Sequence, residues 1–210
     1  PTGLVVVDTL TARLHPRHAI AALVAALAAK GAFIRETPVE GDVVIHATGV
    51  AGLLELNGTA GEKIIGAGVK GQAAVLDCDL NGQPQVYADG LHIVPHADGT
   101  VAVGSTSERD WEHPCGTDAQ LDDVIARARI ACPALLTAPV IERWAGIRPR
   151  ARSRAPMLGP HPTRPGEFIA NGGFKIGFGM APIVGEMMAY LVLGGHDRIP
   201  PDFRPEASLA

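Results

Sequence analysis

Apolar residues recur along this chain with two different periods, and the switches between them mark out its elements. Residues 3–8 (GLVVVD) are an unbroken apolar run, largely β-branched, which is the pattern of a buried strand. Pro16 suits the first turn of a helix, Ile20, Leu23, Val24 and Leu27 follow at helical spacing, and Gly31 stops the pattern after Lys30. Short strands are predicted at 32–35 and at 42–46 (DVVIH), the latter running into Ala47, Thr48 and Gly49. From Lys63 to Ser105 short apolar runs alternate with Asn81-Gly82, Asp89-Gly90 and Asp98-Gly99, dipeptides that close hairpins because both residues tolerate positive φ. That section predicts an antiparallel meander.

The helical period then returns. Thr117 is placed to cap a helix with Leu121, Ile125, Ala128 and Cys132 on one face, ended by Pro133. Residues 138–147 read as extended, and the stretch 149–166, rich in Pro and Arg, as an extended crossing of the surface. Phe168–Asn171 predicts a strand that runs into a glycine-rich stretch at 172–179. Pro182 opens a helix that is apolar on nearly every side as far as Gly194 and Gly195, and so a buried one. The polar, Pro-rich tail beyond predicts a loose end. The fold class expected is mixed α/β, with an antiparallel or mixed sheet and a buried C-terminal helix.

Composition narrows the function classes. The 210 residues are 47% hydrophobic and 19% charged with a net charge of −4, an ordinary globular balance that excludes a disordered chain and argues against a general nucleic-acid binder. No uninterrupted apolar run of about 18 residues predicts a membrane span, and no secretion signal is read. Cys78, Cys115 and Cys132 lack CxxC spacing, so free thiols in a reducing cytoplasm are expected. Pro1, with a strand pattern beginning just after it, gives the chain the look of an internal stretch of a longer polypeptide.

Four features carry candidate chemistry. The glycines at 172–179 lie between a strand and a helix, where exposed backbone N–H groups and a helix dipole meet an anionic or polar ligand. Gly66, Gly68 and Gly71 match GxGxxG in letters, but the residues after Gly71 read as a strand and not as a crossover helix. Arg148, Arg150, Arg152 and Arg154 alternate, so in an extended segment all four face one way; Arg148, following the compact Trp144–Ile147, is expected to be partly buried and paired. His15 with His18, and His92 with His96, have no carboxylate cluster near them in sequence, and no metal site is expected.

These motifs together resemble a family. Residues 13–31 (RLHPRHAIAALVAALAAKG), 42–49 (DVVIHATG), 91–108 (LHIVPHADGTVAVGSTSE), 144–160 (WAGIRPRARSRAPMLGP) and 167–191 (EFIANGGFKIGFGMAPIVGEMMAYL) resemble, in order, the C-terminal part of flavin-dependent amine and amino-acid oxidoreductases related to glycine oxidase and D-amino-acid oxidase or dehydrogenase. The resemblance implies FAD held between a dinucleotide-binding domain and a substrate domain whose sheet caps the flavin ring. It assigns 1–14 and 57–143 to the substrate-binding sheet domain, 15–50 and 144–195 to elements of an incomplete FAD-binding domain, and 196–210 to a tail.

By the same resemblance Ala47, Thr48 and Gly49 approach the FAD phosphates or adenosine. Gly172, Gly173, Phe174, Lys175, Ile176, Gly177, Phe178, Gly179 and Met180 line the flavin ring and ribityl chain, and the following helix aims its positive end at a flavin carbonyl. Arg148 matches the arginine that grips a substrate carboxylate. Lys175 stands where relatives often carry arginine, His92 where an aromatic substrate-lining residue is common, and Ser153 where aspartate is frequent. The implied reaction removes hydride from a carbon bearing a neutral amine, and the imine hydrolyses in water. The family's first strand, its GxGxxG loop and its ribose-binding acid have no counterpart here, so the chain alone is expected to bind FAD weakly or not at all.

The implied partner is a small amine or amino acid, the arginine series favouring a second acidic group; self-association through an exposed docking surface is also expected. One alternative is a non-catalytic module that binds a carboxylate or a partner chain and needs a βαβ unit supplied in trans. A third reading, nicotinamide bound at Gly66–Gly71, requires a helix after Gly71.

Overall fold

A computed structural model describes residues 3–37, 41, 43–59, 61 and 63–209. Along the chain run α1 (Pro16–Ala29), β1 (Ile45–His46), α2 (Gly49–Leu56), β2 (Gly66–Asp77), β3 (Val86–Ala88), β4 (Leu91–Pro95), β5 (Thr100–Gly104), α3 (Ala119–Ala131), β6 (Val140–Ala151), β7 (Met157–Pro160), β8 (Phe168–Asn171), α4 (Gly177–Gly194) and α5 (Glu206–Leu209). They divide into two units. Unit 1 is Pro1–Val39, Ala73–Ser105 and Ala119–Arg143; unit 2 is Glu40–Gln72, Thr106–Asp118 and Trp144–Ala210. The fold is mixed α/β, with one sheet ordered β3-β4-β5-β2-β6 and a second ordered β1-β8-β7.

The meander forms where the hairpin dipeptides predict it. Asp89 and Gly90 take φ of 51° and 74° between β3 and β4, and Gly99 takes 82° between β4 and β5. The antiparallel register sets Ile93 opposite Val103 and Val75 opposite Ala102. Alternation therefore sends Ala74, Leu76, Leu91, Ile93, Val101 and Val103 to one face, where Leu121, Val124, Ile125 and Ala128 of α3 cover them in the core of unit 1. The α3 helix begins at Ala119, two residues past Thr117. Gly66, Gly68 and Gly71 all lie on β2, with no helix after them, which removes the nicotinamide reading.

Several expectations are corrected. Residues 3–8 form no strand, and Leu4, Val5, Val6 and Val7 are 85–95% exposed: an apolar run has strand propensity, but becomes a strand only when a sheet edge takes up its ladder. Residues 32–35 likewise stay irregular, with Phe33 and Ile34 exposed. Of the run 42–46 only Ile45 and His46 are strand, and Asp42 lies outside the described residues. The stretch 149–166 is no surface crossing. It completes β6, turns at Arg154, and forms β7, whose Met157 and Leu158 are buried opposite Asn171 and Ala170 of β8. Arg152 and Arg154 therefore leave the strand that holds Arg148 and Arg150, and the four do not share a face.

In unit 2, the C-terminal helix begins at Gly177 and carries Pro182 inside it. Among its described residues only Met188 is buried, which corrects the expectation of a buried helix. One stripe (Val184, Met187, Met188, Leu191, Val192) packs on Leu158 and Ile199, and the helix residues outside it are exposed or half-buried. With the short turn before it, Phe174–Gly194 is the one helix among the described residues long and apolar enough, by length and composition, to cross a membrane. Its stripe against β7 is the packing of a helix laid on a sheet. The tail is not loose either: Ile199 and Ser208 are buried, Arg204 pairs with Asp197 at 2.8 Å, and α5 closes the chain.

Candidate active site

In unit 2, β1 and β8 run parallel and adjacent, Ile45 opposite Phe168 and His46 opposite Ile169. Ligands of parallel sheets bind outside the carboxyl ends of the strands. Just past those two ends lie Thr48-Gly49, opening α2, and Gly172-Gly173, leading through a single 3-10 turn (Phe174–Ile176) into α4. Asn171 ties the two together: its amide Nδ2–H donates to the Gly49 carbonyl at 2.9 Å, and its Oδ1 accepts from the Gly172 N–H at 2.7 Å. The side chain is buried, and its hydrogen bonds join the two stretches that sequence alone leaves far apart.

The glycines here do different jobs. Gly172 has φ +76°, and a Cβ on it would lie 2.9 Å from the Ala151 Cβ, so packing demands glycine. A Cβ on Gly173 would lie 2.9 Å from the Gly177 Cα. Gly177 and Gly179, in the first turn of α4, would meet nothing within 4 Å and leave the backbone approachable from outside. Neither α2 nor α4 has a side-chain cap or an acidic residue in its first turn, so neither positive helix end is neutralised by an anionic side chain of its own first turn. Lys175 is exposed, its ammonium 5.7 Å from the Phe174 ring centre. Ala47, Thr48, Ile176, Phe178 and Gly179 are exposed as well, while Gly49, Phe174, Gly177 and Met180 are half-buried.

Arg148 sits elsewhere in unit 2, on β6. Its guanidinium occupies the space above Gly71 of β2: a Cβ there would come within 1.9 Å of Nη2. Nη1 donates to the carbonyls of Lys70 and Thr106, at 3.3 Å each. Behind them lies a buried polar network. Lys70 Nζ is 3.5 Å from Glu108 and 3.9 Å from Asp118. Gln72, fully buried, donates to Glu108 at 3.1 Å and Asp118 at 3.0 Å and accepts from the Asp118 N–H at 2.9 Å. The Thr106 hydroxyl donates to Glu108 and accepts from the Gln72 N–H. Burial pulls the Arg148 pKa below its ordinary value, and the Glu108 charge opposes that shift. A planar, half-buried fork with fixed orientation is suited to bidentate binding of a carboxylate.

His92 belongs to unit 1. It lies exposed on β4, opposite Gly104 of β5 and 4.8 Å, centre to centre, from the Tyr87 ring. Sequence reasoning missed Asn171, Gly71, Lys70, Gln72 and Glu108. Gly71 had a signal, since a glycine inside a strand pattern marks close approach by another group. Asn171 had none, because its importance lies in which backbone groups it meets.

The sequence matches the DAO family, FAD-dependent oxidoreductase, over residues 3–191. The chain belongs to that family. It is 32% identical over 143 residues to glycine oxidase of Pseudomonas putida, an alignment covering 67% of this chain and 39% of that protein. Its fold superposes on the crystal structure of glycine oxidase from Geobacillus kaustophilus with a TM-score of 0.67 at 27% identity, covering 77% of this chain and 44% of that one. Iminodiacetate oxidase from Chelativorans sp. BNC1 gives a TM-score of 0.65 at 26% identity, over 80% and 47%. The chain thus spans less than half the length of these relatives. FAD is the cofactor of this DAO-family chain's relatives, and uncapped helix starts beside open glycines suit an anionic group with a planar polar ring.

Proposed function

We propose that this chain is the substrate-binding and C-terminal flavin-contacting portion of an FAD-dependent enzyme that oxidises an amine or amino acid. The observation that carries the reading is Arg148, half-buried over Gly71 and held by the Lys70 and Thr106 carbonyls, in a chain that matches the family over residues 3–191. Ala47, Thr48, Gly49 and the 172–180 stretch would hold FAD, with Lys175 adding positive charge beside it. Bound there, FAD supplies the hydride acceptor. The chain's own part is orientation: the Arg148 fork fixes a carboxylate, which leaves the neutral amine-bearing carbon presented in one pose. N–H groups at the start of α4 stabilise negative charge that develops near them. Substrate and catalytic roles for Lys175 and His92 belong to the same proposal. The likeness to iminodiacetate oxidase supports a substrate with a second carboxylate. Cys78, Cys115 and Cys132 are free thiols, which suits a reducing cytoplasm.

Calorimetric titration with glycine and iminodiacetate tests it. Iminodiacetate binds and Arg148→Met abolishes binding; equal binding by the variant removes Arg148 from the site. A parallel flavin titration by visible absorbance is expected to show weak uptake, and stoichiometric, tightly held flavin would overturn that part. The alternative, a module that docks a partner chain, is favoured by the exposed Leu4–Val7 run and by α1, none of whose residues is buried. It is supported if no carboxylate ligand binds and the chain self-associates.

A further inference from the structure

Folding of unit 1 brings to the His15–His18 pair a carboxylate that no spacing in the sequence announces. His15 is the N-cap of α1 and His18 lies in its first turn, their rings stacked with centres 3.9 Å apart and planes 13° from parallel. The turn between β4 and β5 brings Asp98 to the same place, with Oδ2 3.6 Å from His15 Nε2. The other carboxylate oxygen accepts from the Thr100 N–H at 3.1 Å and its hydroxyl at 2.7 Å. His96, 9% exposed, lays its ring against His15 with centres 4.4 Å apart. One ligand atom each from His15, His18 and Asp98 lies within 4.8 Å of the other two.

We propose that His15, His18 and Asp98 form a binding site for a divalent transition-metal ion of the zinc class. Tetrahedral coordination with bonds of about 2.0–2.1 Å spaces the ligand atoms roughly 3.3–3.4 Å apart. The His15–Asp98 pair already stands at nearly that spacing, and His18, exposed, closes the rest by turning its ring. The fourth position is left to water. Two imidazoles and one carboxylate select zinc-like ions over calcium or magnesium, which prefer all-oxygen shells. Thr100 acts as the outer partner that orients the carboxylate, the arrangement that tunes a metal site from behind.

Neighbouring groups are compatible with it. His96, 9% exposed, packs its ring behind His15 at an angle of 49° and backs the cluster from the inside. The His15 Nδ1 contact with the His18 N–H is long, 3.4 Å, and little is lost when the ring turns to an ion. Arg13 donates to the Gln83 and Pro95 carbonyls, at 2.5 and 3.3 Å, and so is tied to the hairpin backbone. The bound ion would pin the start of α1 to the β4–β5 turn, within one unit and independently of any flavin chemistry.

The experiment is titration of the chelator-treated chain with zinc chloride by calorimetry, with cobalt(II) as a visible-absorbance probe. One ion per chain is expected. His15→Asn, which keeps a capping acceptor, and Asp98→Asn, which keeps an oxygen for Thr100, each weaken binding by at least about tenfold. Cys115→Ser and His113→Ala leave it unchanged, because they lie outside the cluster. Circular dichroism in the absence of metal verifies that each variant is folded, and either folded variant suffices. The proposal is overturned if zinc does not bind, if both Asn variants bind as tightly as the parent, or if Cys115→Ser abolishes binding.

Discussion

Helices α3 and α4 invert what their compositions suggest. The 13-residue α3 carries Asp122, Asp123, Arg127 and Arg129, yet buries Leu121, Val124, Ile125 and Ala128; the 18-residue α4, with Glu186 as its one charge, buries only Met188. Burial is a property of two surfaces and not of one. The α3 stripe meets the apolar face of the meander inside unit 1, and its charges pair along the rim, Arg127 with Asp89 and Asp123, Arg143 with Asp122. In unit 2, α4 meets β7 and the segment around Ile199 along a single stripe, which leaves Leu193 86% exposed. An amphipathic stripe tells which side of a helix is inside, whereas a helix apolar all round leaves that to its neighbours.

The sharpest test of this contrast is a pair of equal truncations. Leu121→Ala is expected to cost about 2–5 kcal/mol in urea unfolding, from lost transfer energy and the cavity left behind, and Leu193→Ala to change stability by less than about 0.5 kcal/mol. Similar losses at both would break the comparison.

A pair of glycines gives the next largest effect. Gly71→Ala forces a methyl to within 1.9 Å of Arg148 Nη2; it should cost about 1–3 kcal/mol and lower the affinity for carboxylates. Gly179→Ala, with nothing within 4 Å of its Cβ, should be neutral or gain up to about 1 kcal/mol from helix propensity. Urea unfolding of the two variants checks both.

Each unit also holds one histidine whose pKa lies below the ordinary value near 6.5. Burial is the main cause at both, reinforced by the His15 charge at His96 and the His46 charge at His161. The unfolded chain takes up these protons first. Stability is therefore complete above about pH 6.5 and declines as pH falls from there through the folded values. Thermal unfolding between pH 8 and 5 should show that decline, and His96→Gln and His161→Gln should each flatten it; a flat parent profile would refute the assignment. The smallest effect is expected for Leu23→Ala on α1, within about 0.5 kcal/mol by the same unfolding assay, because no residue of that helix is buried.

Local chemistry was legible in advance wherever a residue acts on its own backbone. Asp89-Gly90 and Asp98-Gly99 were readable as turns because positive φ is a property of those residues, and α1 and α3 because Pro16, Gly31 and Pro133 set boundaries through their own geometry. The residues 47–49 and 172–180 were readable as two candidate stretches, but not as neighbours, since the parallel pairing of β1 with β8 is a long-range event. Arg148 was visible as an arginine placed to be partly buried; the room made for it by Gly71 was not. The runs at 3–8 and 32–35 failed as strands for the same reason in reverse, propensity being present and a sheet edge missing.

By itself, then, the sequence determined the mixed α/β class, the hairpins and the α3 stripe, which depend on periodicity or on single-residue backbone preferences, and it pointed to the family through the resemblance of its motifs. Tertiary structure alone decided that Asn171 joins the two glycine turns, that Lys70, Gln72, Glu108 and Arg148 share one buried network, that His15 meets Asp98, and that α4 buries a single residue. Each of those depends on which distant segments come within a few ångströms of one another, and pairing of that kind has no local signature.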